Sequence, residues 1–372
     1  MADPLKTFFS PSLVRRIGAD FVRAHSRFPV EAFVKDASTG LQKLELLDRA
    51  RHIAASLQRH LPSAYPDAID VVVRALGPEL ESDELIGVGM GPFIYLPHAL
   101  FIAEHGLEHF DLSMHAQYEL TKRFSAESSI RAYIAGDPER TFAFFRKWVM
   151  DPNAHVRRLV SEGTRLRLPW ASRVAWLDGH PERVVALLEQ LKDDPTTLVR
   201  RSVANNLNDL GKVHPDLLTR TCGAWLKSGN EARRTLVEHA LRSAIKRGEP
   251  GALSLLGFGE HPAVAVEHVR ITPARVAIGG SVSVAFELRS TSRKPQALLV
   301  DLVVHFVKAN GRTRPKVFKL KRVAITPGAT VSLEGKVSFA PMTTRRHFRG
   351  NHRLDVVVNG VTYHLGNLEV RP

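Results

Sequence analysis

Two thirteen-residue strings constrain this chain more than anything else in it. DPNAHVRRLVSEG, from Asp151, aligns without a gap on DPTTLVRRSVANN, from Asp194, at an offset of 43 residues. A period of roughly 40 to 47 residues is that of helical solenoid repeats, which bury their apolar faces only against neighbouring copies. Weaker copies flank the pair: KRFSAE from Lys122 and RRTLVE from Arg233. In each copy a basic pair is followed, four residues after its second member, by an acid or amide. The pairs are Arg123 with Glu127, Arg158 with Glu162, Arg201 with Asn205, and Arg234 with Glu238. Four residues place two side chains on one helix face a turn apart. Stacked copies are therefore expected to line one surface with alternating basic and carbonyl-bearing groups.

Up to about residue 258 the apolar residues recur at helical spacing, as in AFFRKWVM and RVVALLEQL. Asp137-Pro138, Asp151-Pro152 and Asp194-Pro195 each read as a capping aspartate before proline at the first helical position. His180-Pro181 and His214-Pro215 mark further starts. After about residue 260 the texture changes to alternating, β-rich runs such as SVSVAFEL, KVFKLKRVAI and RLDVVVNGVTYHL, and Asn310-Gly311 and Asn359-Gly360 are hairpin signals. Six or seven strands in the last 110 or so residues suggest a sandwich of the immunoglobulin-like kind, here without a cysteine pair. The expected fold is a multidomain α and β protein: an all-α repeat solenoid over residues 1–258, then a β-sandwich over 259–372.

The charge follows the same division. The chain carries a net +14. Residues 261–372 hold 18 Lys and Arg against 6 Asp and Glu, a net +12, which leaves +2 for residues 1–260. So basic a sandwich points to a polyanionic partner, and the nearly balanced helical part to charges arranged locally. Cys222 is the only cysteine, which excludes an intrachain disulfide or a thiolate metal cluster and agrees with a reducing compartment. No apolar run approaches the roughly 18 residues of a membrane span, and the first residues lack a secretory h-region. The expected location is the cytoplasm, with no membrane association. Nothing in the sequence calls for an obligate oligomer, so a monomer is expected.

Several local signals carry chemistry. As plain helix salt bridges the repeated pairs are each worth only about 0.3–0.5 kcal/mol, and base before acid is the weaker orientation. Alternatively, the basic members grip successive phosphates and the carboxylates face a cationic target. Trp170, behind Pro169, either plugs a core or presents its ring to a pocket shared with Glu162, an arrangement suited to a flat cation. Gly163 is expected to keep that carboxylate's surroundings open. Trp148 and Trp176 fall in the apolar register and read as core. His98, His105 and His109 lack a His-Glu-x-x-His pattern or a coordinating acid, and GVGMGPF from Gly87 lacks the strand and glycine spacing of a dinucleotide loop. Neither a metal nor an organic cofactor is expected. TTRRHFRGNHR, residues 343–353, groups four arginines between two strands, where a loop can reach into a charged groove.

SEGTRLRLPWA from Ser161, VRRSVANNLNDLGKVHP from Val199 and MTTRRHFRGNH from Met342 fall in order along both parts of the chain. Together they resemble the AlkC branch of the bacterial HEAT-like-repeat DNA glycosylases, relatives of AlkD. The resemblance implies a HEAT-like α-solenoid followed by an immunoglobulin-like domain. It also implies excision of cationic alkylated bases, notably 3-methyladenine, from double-stranded DNA without base flipping. On that basis Trp170 matches the tryptophan at the lesion pocket, and Glu127, Glu162 and Asp209 the carboxylates facing the damaged nucleotide. Two departures stand out: SAESSIRAY from Ser125 replaces the more usual S-S-E-F-A-I-R-P, and Leu166 stands where proline is usual.

The resulting expectation is a monofunctional alkylpurine glycosylase acting in base excision repair. Glu162 and Asp209 would stabilise the oxocarbenium-like sugar, Glu127 would help hold water or cation, and Trp170 would meet the exposed sugar or base. Arg158, Arg201 and Arg234, with Arg345, Arg346 and Arg349 of the sandwich loop, would bind phosphates. The alternatives are a non-catalytic HEAT-repeat scaffold that binds nucleic acid or an acidic partner, and an RNA-binding module. The sequence does not rank 3-methyladenine against 3-methylcytosine or 7-methylguanine.

Overall fold

The computed structural model describes residues 5–81, 89–227, 229–259, 261–342 and 345–372. Among them the helical part begins with α1 (Pro11–Ala24), α2 (Val30–Ser38), α3 (Leu46–His60), α4 (Tyr65–Arg74), α5 (Leu96–His105) and α6 (Phe110–Thr121). It continues with α7 (Ile130–Gly136), α8 (Pro138–Trp148), α9 (Ala154–Gly163), α10 (Ala175–Gly179) and α11 (Pro181–Leu191). The last helices are α12 (Thr197–Leu210), α13 (Pro215–Leu226), α14 (Glu231–Lys246) and α15 (Pro250–Leu255). Contacts divide the chain into two compact units, Met1–Ala240 and Leu241–Pro372, so the second unit takes the end of α14 and all of α15. The change from helix to strand lies between Leu255 and Val264, later than the break in compactness.

Local rules account for several helix starts. Ser10 accepts from the Leu13 amide at 3.3 Å and Pro11 opens α1, whose Val14, Ile17 and Phe21 are fully buried. Asp137 caps α8 as its sequence suggests. Asp151 and Asp194 do something different: each accepts a hydrogen bond from the amide two residues on, at 2.8 Å, and closes a turn before the helix. The N-cap residues are Asn153 and Thr196, so α9 and α12 start two residues later than a capping aspartate would place them.

The 43-residue offset is visible as structure. α9 and α12 pack against one another and share α11 as a neighbour. In each copy the first arginine of the basic pair clamps its own turn. Arg157 donates to the carbonyls of Asp151 and Pro152 at 2.8 and 3.0 Å, and Arg200 donates to those of Asp194 and Pro195. Arg157 also binds the Asp194 carboxylate with Nε at 2.6 Å and Nη2 at 3.1 Å, tying one copy to the next. Asn206, fully buried on α12, donates to the Ser161 carbonyl at 2.7 Å and to Thr164 Oγ1 at 3.0 Å. The flanking copy at Lys122 is no helix. Residues 122–129 form turns, and Arg123 binds Glu119 at 2.9 Å and the Gly77 carbonyl, not Glu127.

The histidines of α5 and its surroundings are aromatic neighbours. His98 stacks on Phe21, and burial pushes its pKa down to about 4; His105 packs on Phe101 and His109 on Tyr65.

The second unit carries β1 (Val264–Thr272), β2 (Arg275–Ala277), β3 (Ser281–Ser290) and β4 (Gln296–Val307). After these come β5 (Thr313–Ile325), β6 (Thr330–Ser338), β7 (Gly350–Val358) and β8 (Val361–Arg371). One sheet has the order β1-β3-β6, the other β2-β8-β7-β4-β5. Alternation sets their inward faces: Val282, Val284, Phe286 and Leu288 from β3 share a core with Val300, Leu302, Val304, Val356 and Leu368 of the second sheet. Asn359 (φ 45°) and Gly360 (φ 84°) make the two-residue turn from β7 to β8. The Asn359 side chain then binds the backbone of Leu299, Ala297 and Gly259. A Cβ on Gly360 would stand 2.9 Å from the Gly248 Cα, so the segment after α14 is seated on this turn. Asn310-Gly311 sits instead in a five-residue connection, residues 308–312.

Candidate functional site

The stretch from α9 to Trp170 is not one long helix. α9 ends at Gly163, where a Cβ would meet the Ile130 Cγ2 at 2.7 Å. Gly163 is thus required for close packing of α9 on α7, and not to keep the carboxylate's surroundings open. The chain beyond it is held by a buried guanidinium: Arg131, 4% exposed, donates to the carbonyls of Gly163, Arg165 and Ser172 at 3.0, 2.8 and 2.9 Å. Burial, reinforced by the like charges of Arg165 and Arg167 and opposed by Asp178, brings the Arg131 pKa down to about 10. The loop that Arg131 supports carries Arg165, Arg167 and Trp170.

Three of the sequence-derived carboxylates fall into one chain of alternating charge. Ser125 Oγ donates to Glu127 Oε2 at 2.9 Å, and Arg158 Nη2 donates to the same oxygen at 2.9 Å. Arg158 Nη2 lies 3.9 Å from Glu162 Oε2, one helical turn along α9. Glu162 Oε1 accepts from Arg165 Nη1, and Oε2 accepts from Ser202 Oγ at 2.6 Å. Arg165 continues to Asp209, with Nε and Nη2 each 2.8 Å from Oδ2, and Lys212 donates to Oδ1 at 2.7 Å. Glu162 is 5% and Asp209 2% exposed. Burial pulls the Arg165 pKa down, but the charges and hydrogen bonds of Glu162 and Asp209 outweigh it and leave the group above its ordinary value. Each of the three carboxylates thus has a cationic partner.

Trp170 is 66% exposed and sits in the left-handed region at φ 62°, so it does not plug a core. It lines a cavity of about 250 Å³ together with Glu127, Arg158, Pro169 and apolar side chains that include Phe93, Leu96 and Phe124. Glu127 is therefore the carboxylate that shares a cavity with Trp170, and Glu162 is reached through Arg158. Trp148 is buried against Phe144 and Phe145, and Trp176 is half-buried, stacked on His180 and packed on Phe142.

The expected phosphate contacts separate into kinds. Arg158 is turned inward, its guanidinium committed to Glu127. Arg201 and Arg234 are exposed, Arg201 beside a cavity it shares with Thr197, Thr235 and His239. In the second unit the Arg345 guanidinium lies over the Phe306 ring, 4.6 Å from its centroid, while Arg346 and Arg349 are exposed. His347 and His352 are buried with Phe306 and Phe339 and anchor this segment. Lys316 packs on Phe318, and its pKa is lowered by burial and by the nearby charges of Arg345 and Lys246. Thr343 and Thr344 lie outside the described residues.

Sequence reasoning passed over Arg131, Arg165, Ser202 and Lys212. Arg165 and Lys212 each follow their carboxylate by three residues, a spacing that one helical turn brings into contact.

Residues 265–372 match the family described as "Uncharacterised protein YhaZ, C-terminal Ig-like domain". The Bacillus subtilis (strain 168) "Uncharacterized protein YhaZ" is 32% identical over 318 residues, 86% of this chain and 85% of its own length. Among solved structures, a Pseudomonas fluorescens alkylpurine DNA glycosylase AlkC bound to DNA containing an abasic site analog superposes with a TM-score of 0.89. That protein is 35% identical, and the match covers all of both chains. With its helical and immunoglobulin-like parts both matched at that identity, the chain belongs to the AlkC branch of the HEAT-like-repeat DNA glycosylases.

Proposed function

We propose that this protein is a monofunctional DNA glycosylase that hydrolyses the N-glycosidic bond of cationic alkylated bases in duplex DNA, chiefly 3-methyladenine and also 3-methylcytosine, without flipping the base. The observation that carries this reading is the buried pair Glu162 and Asp209, joined by Arg165 beside a loop that exposes Trp170. An alkylated base leaves as a neutral molecule, taking the electrons of the C1′–N bond to cancel its own charge. The work left to the protein is to stabilise positive charge on the sugar and to orient water. Glu162 and Asp209 supply the negative charge, Glu127 holds water or the cation, and the Trp170 ring meets the sugar or base.

The test is to incubate purified protein with methylated duplex DNA and assay free bases. Release of 3-methyladenine is expected; binding without release of any alkylated base at high protein concentration would instead establish a scaffold.

Grip is assigned to exposed cations. Arg201 and Arg234 serve the first unit and Arg346 and Arg349 the second, with Arg345 stacked behind them and Arg158 acting inside the carboxylate cluster. Each phosphate contact contributes about 0.9 to the slope of log affinity against log salt. Arg346→Ala with Arg349→Ala should therefore lower that slope by about 2 in a duplex titration. An unchanged slope would remove this segment from the DNA interface.

A further inference from the structure

We propose that Arg165 determines the lesion class: by occupying Glu162 and Asp209 together, as Ser125 and Arg158 occupy Glu127, it leaves the buried pair without a proton to donate and confines the site to bases that already carry positive charge. The proposal rests on the glycosylase reading above. Both carboxylates are acceptors throughout. Glu162 accepts from Arg165 and Ser202, and Asp209 accepts from Arg165 and Lys212. A carboxylate in that state can stabilise a cation but has no proton to give.

The chemistry then divides substrates. When a cationic base departs, the C1′–N electron pair cancels the charge on its ring; water adds its oxygen to C1′ and loses a proton to solvent. When a neutral purine departs, it leaves as an anion unless a proton reaches the ring as the bond breaks. That second route needs a carboxylic acid. Arg165, bound to both Glu162 and Asp209, withholds one.

Arg165 is built to stay. Its carbonyl is held by Arg131 at 2.8 Å, and its side chain is only 11% exposed. The charges around it come from Glu162 and Arg158 on α9, Asp209 and Lys212 at the end of α12, Arg131 on α7, and Arg167 and Asp178 near its own loop.

Arg165→Gln removes the guanidinium and retains an amide. Glu162 is then left with Ser202 and the more distant Arg158, and takes up a proton that it can pass to a departing neutral purine and regain from the attacking water. The experiment compares wild type, Arg165→Gln and Arg165→Lys on methylated duplex DNA and on a duplex carrying hypoxanthine, a neutral purine lesion. Wild type should release alkylated bases and leave hypoxanthine in place. Arg165→Gln should release hypoxanthine about tenfold faster than wild type or more, with the gain greatest at mildly acid pH. Arg165→Lys should remain selective.

A folded Arg165→Gln protein as selective as wild type at every pH would overturn the proposal. So would wild type releasing hypoxanthine as fast as alkylated bases, a result that needs no variant to fold. If wild type releases no alkylated base, the glycosylase reading itself has failed; alkylated-base release with a wild type that also excises hypoxanthine, or with an Arg165→Gln that stays selective, counts against Arg165 alone.

Discussion

Glu162→Gln is expected to lower the single-turnover rate of 3-methyladenine release by a few hundredfold, while affinity for the same duplex stays within about threefold. The size follows from the loss of one preorganised charge at a developing cation, worth about 3–4 kcal/mol in comparable sites. The substitution conserves shape: glutamine can accept from Arg165 on one side and face Ser202 Oγ on the other, which leaves the packing of α9 on α12 in place. Affinity depends instead on phosphate contacts, which Glu162, 5% exposed, does not make in this assignment. The measurement is base release with enzyme in excess, beside a binding titration at matched salt. A fall below about tenfold would move the principal charge to Asp209 or Glu127.

The parts of this protein that the sequence made legible are those set by short-range rules. Helical periodicity, the proline starts of α8, α11 and α13, the alternation of β3 and the Asn359-Gly360 turn all depend on neighbours within a few residues. The repeat was legible for the same reason, although its meaning divided. The first arginine of each pair clamps the turn before its helix, and the second, Arg158 in one copy and Arg201 in the other, ends up inward or exposed. Nothing within the repeat distinguishes those outcomes, because the partner of Arg158 is Glu127, thirty-one residues away in a turn.

The carboxylates could be carried over from the resemblance, but their partners could not. Ser202 replaces, at the aligned position, the buried Leu159 of the preceding copy, and that exchange of an apolar for a polar residue was the one visible sign of its bond to Glu162. Arg131 gave no sign at all. An arginine in an apolar helix reads as solvated, and only the tertiary structure shows three carbonyls converging on it.

Arg131 therefore supports the second large effect. Arg131→Met fills most of the same volume but leaves the buried carbonyl of Gly163 and the part-buried carbonyls of Arg165 and Ser172 without their donor. Unsatisfied buried groups cost about 1–3 kcal/mol each, and removal of a charge already disfavoured by burial returns part of that, so a net loss near 3 kcal/mol is expected. The loop from Thr164 to Ser172 should loosen with it, and since Arg165 and Trp170 are on that loop, release of alkylated bases should fall by more than DNA binding does. Stability alone would not produce this split. Arg157→Ala supplies the comparison: it breaks the part-buried pair with Asp194 at a cost of about 3 kcal/mol, yet touches neither the loop nor the carboxylates. Both variants should unfold earlier in denaturant, whereas below their transitions only Arg131→Met should be slow, with Trp170 emission shifted as its backbone is released. If the two variants keep the same rate, Arg131 holds the fold and has no part in positioning the site.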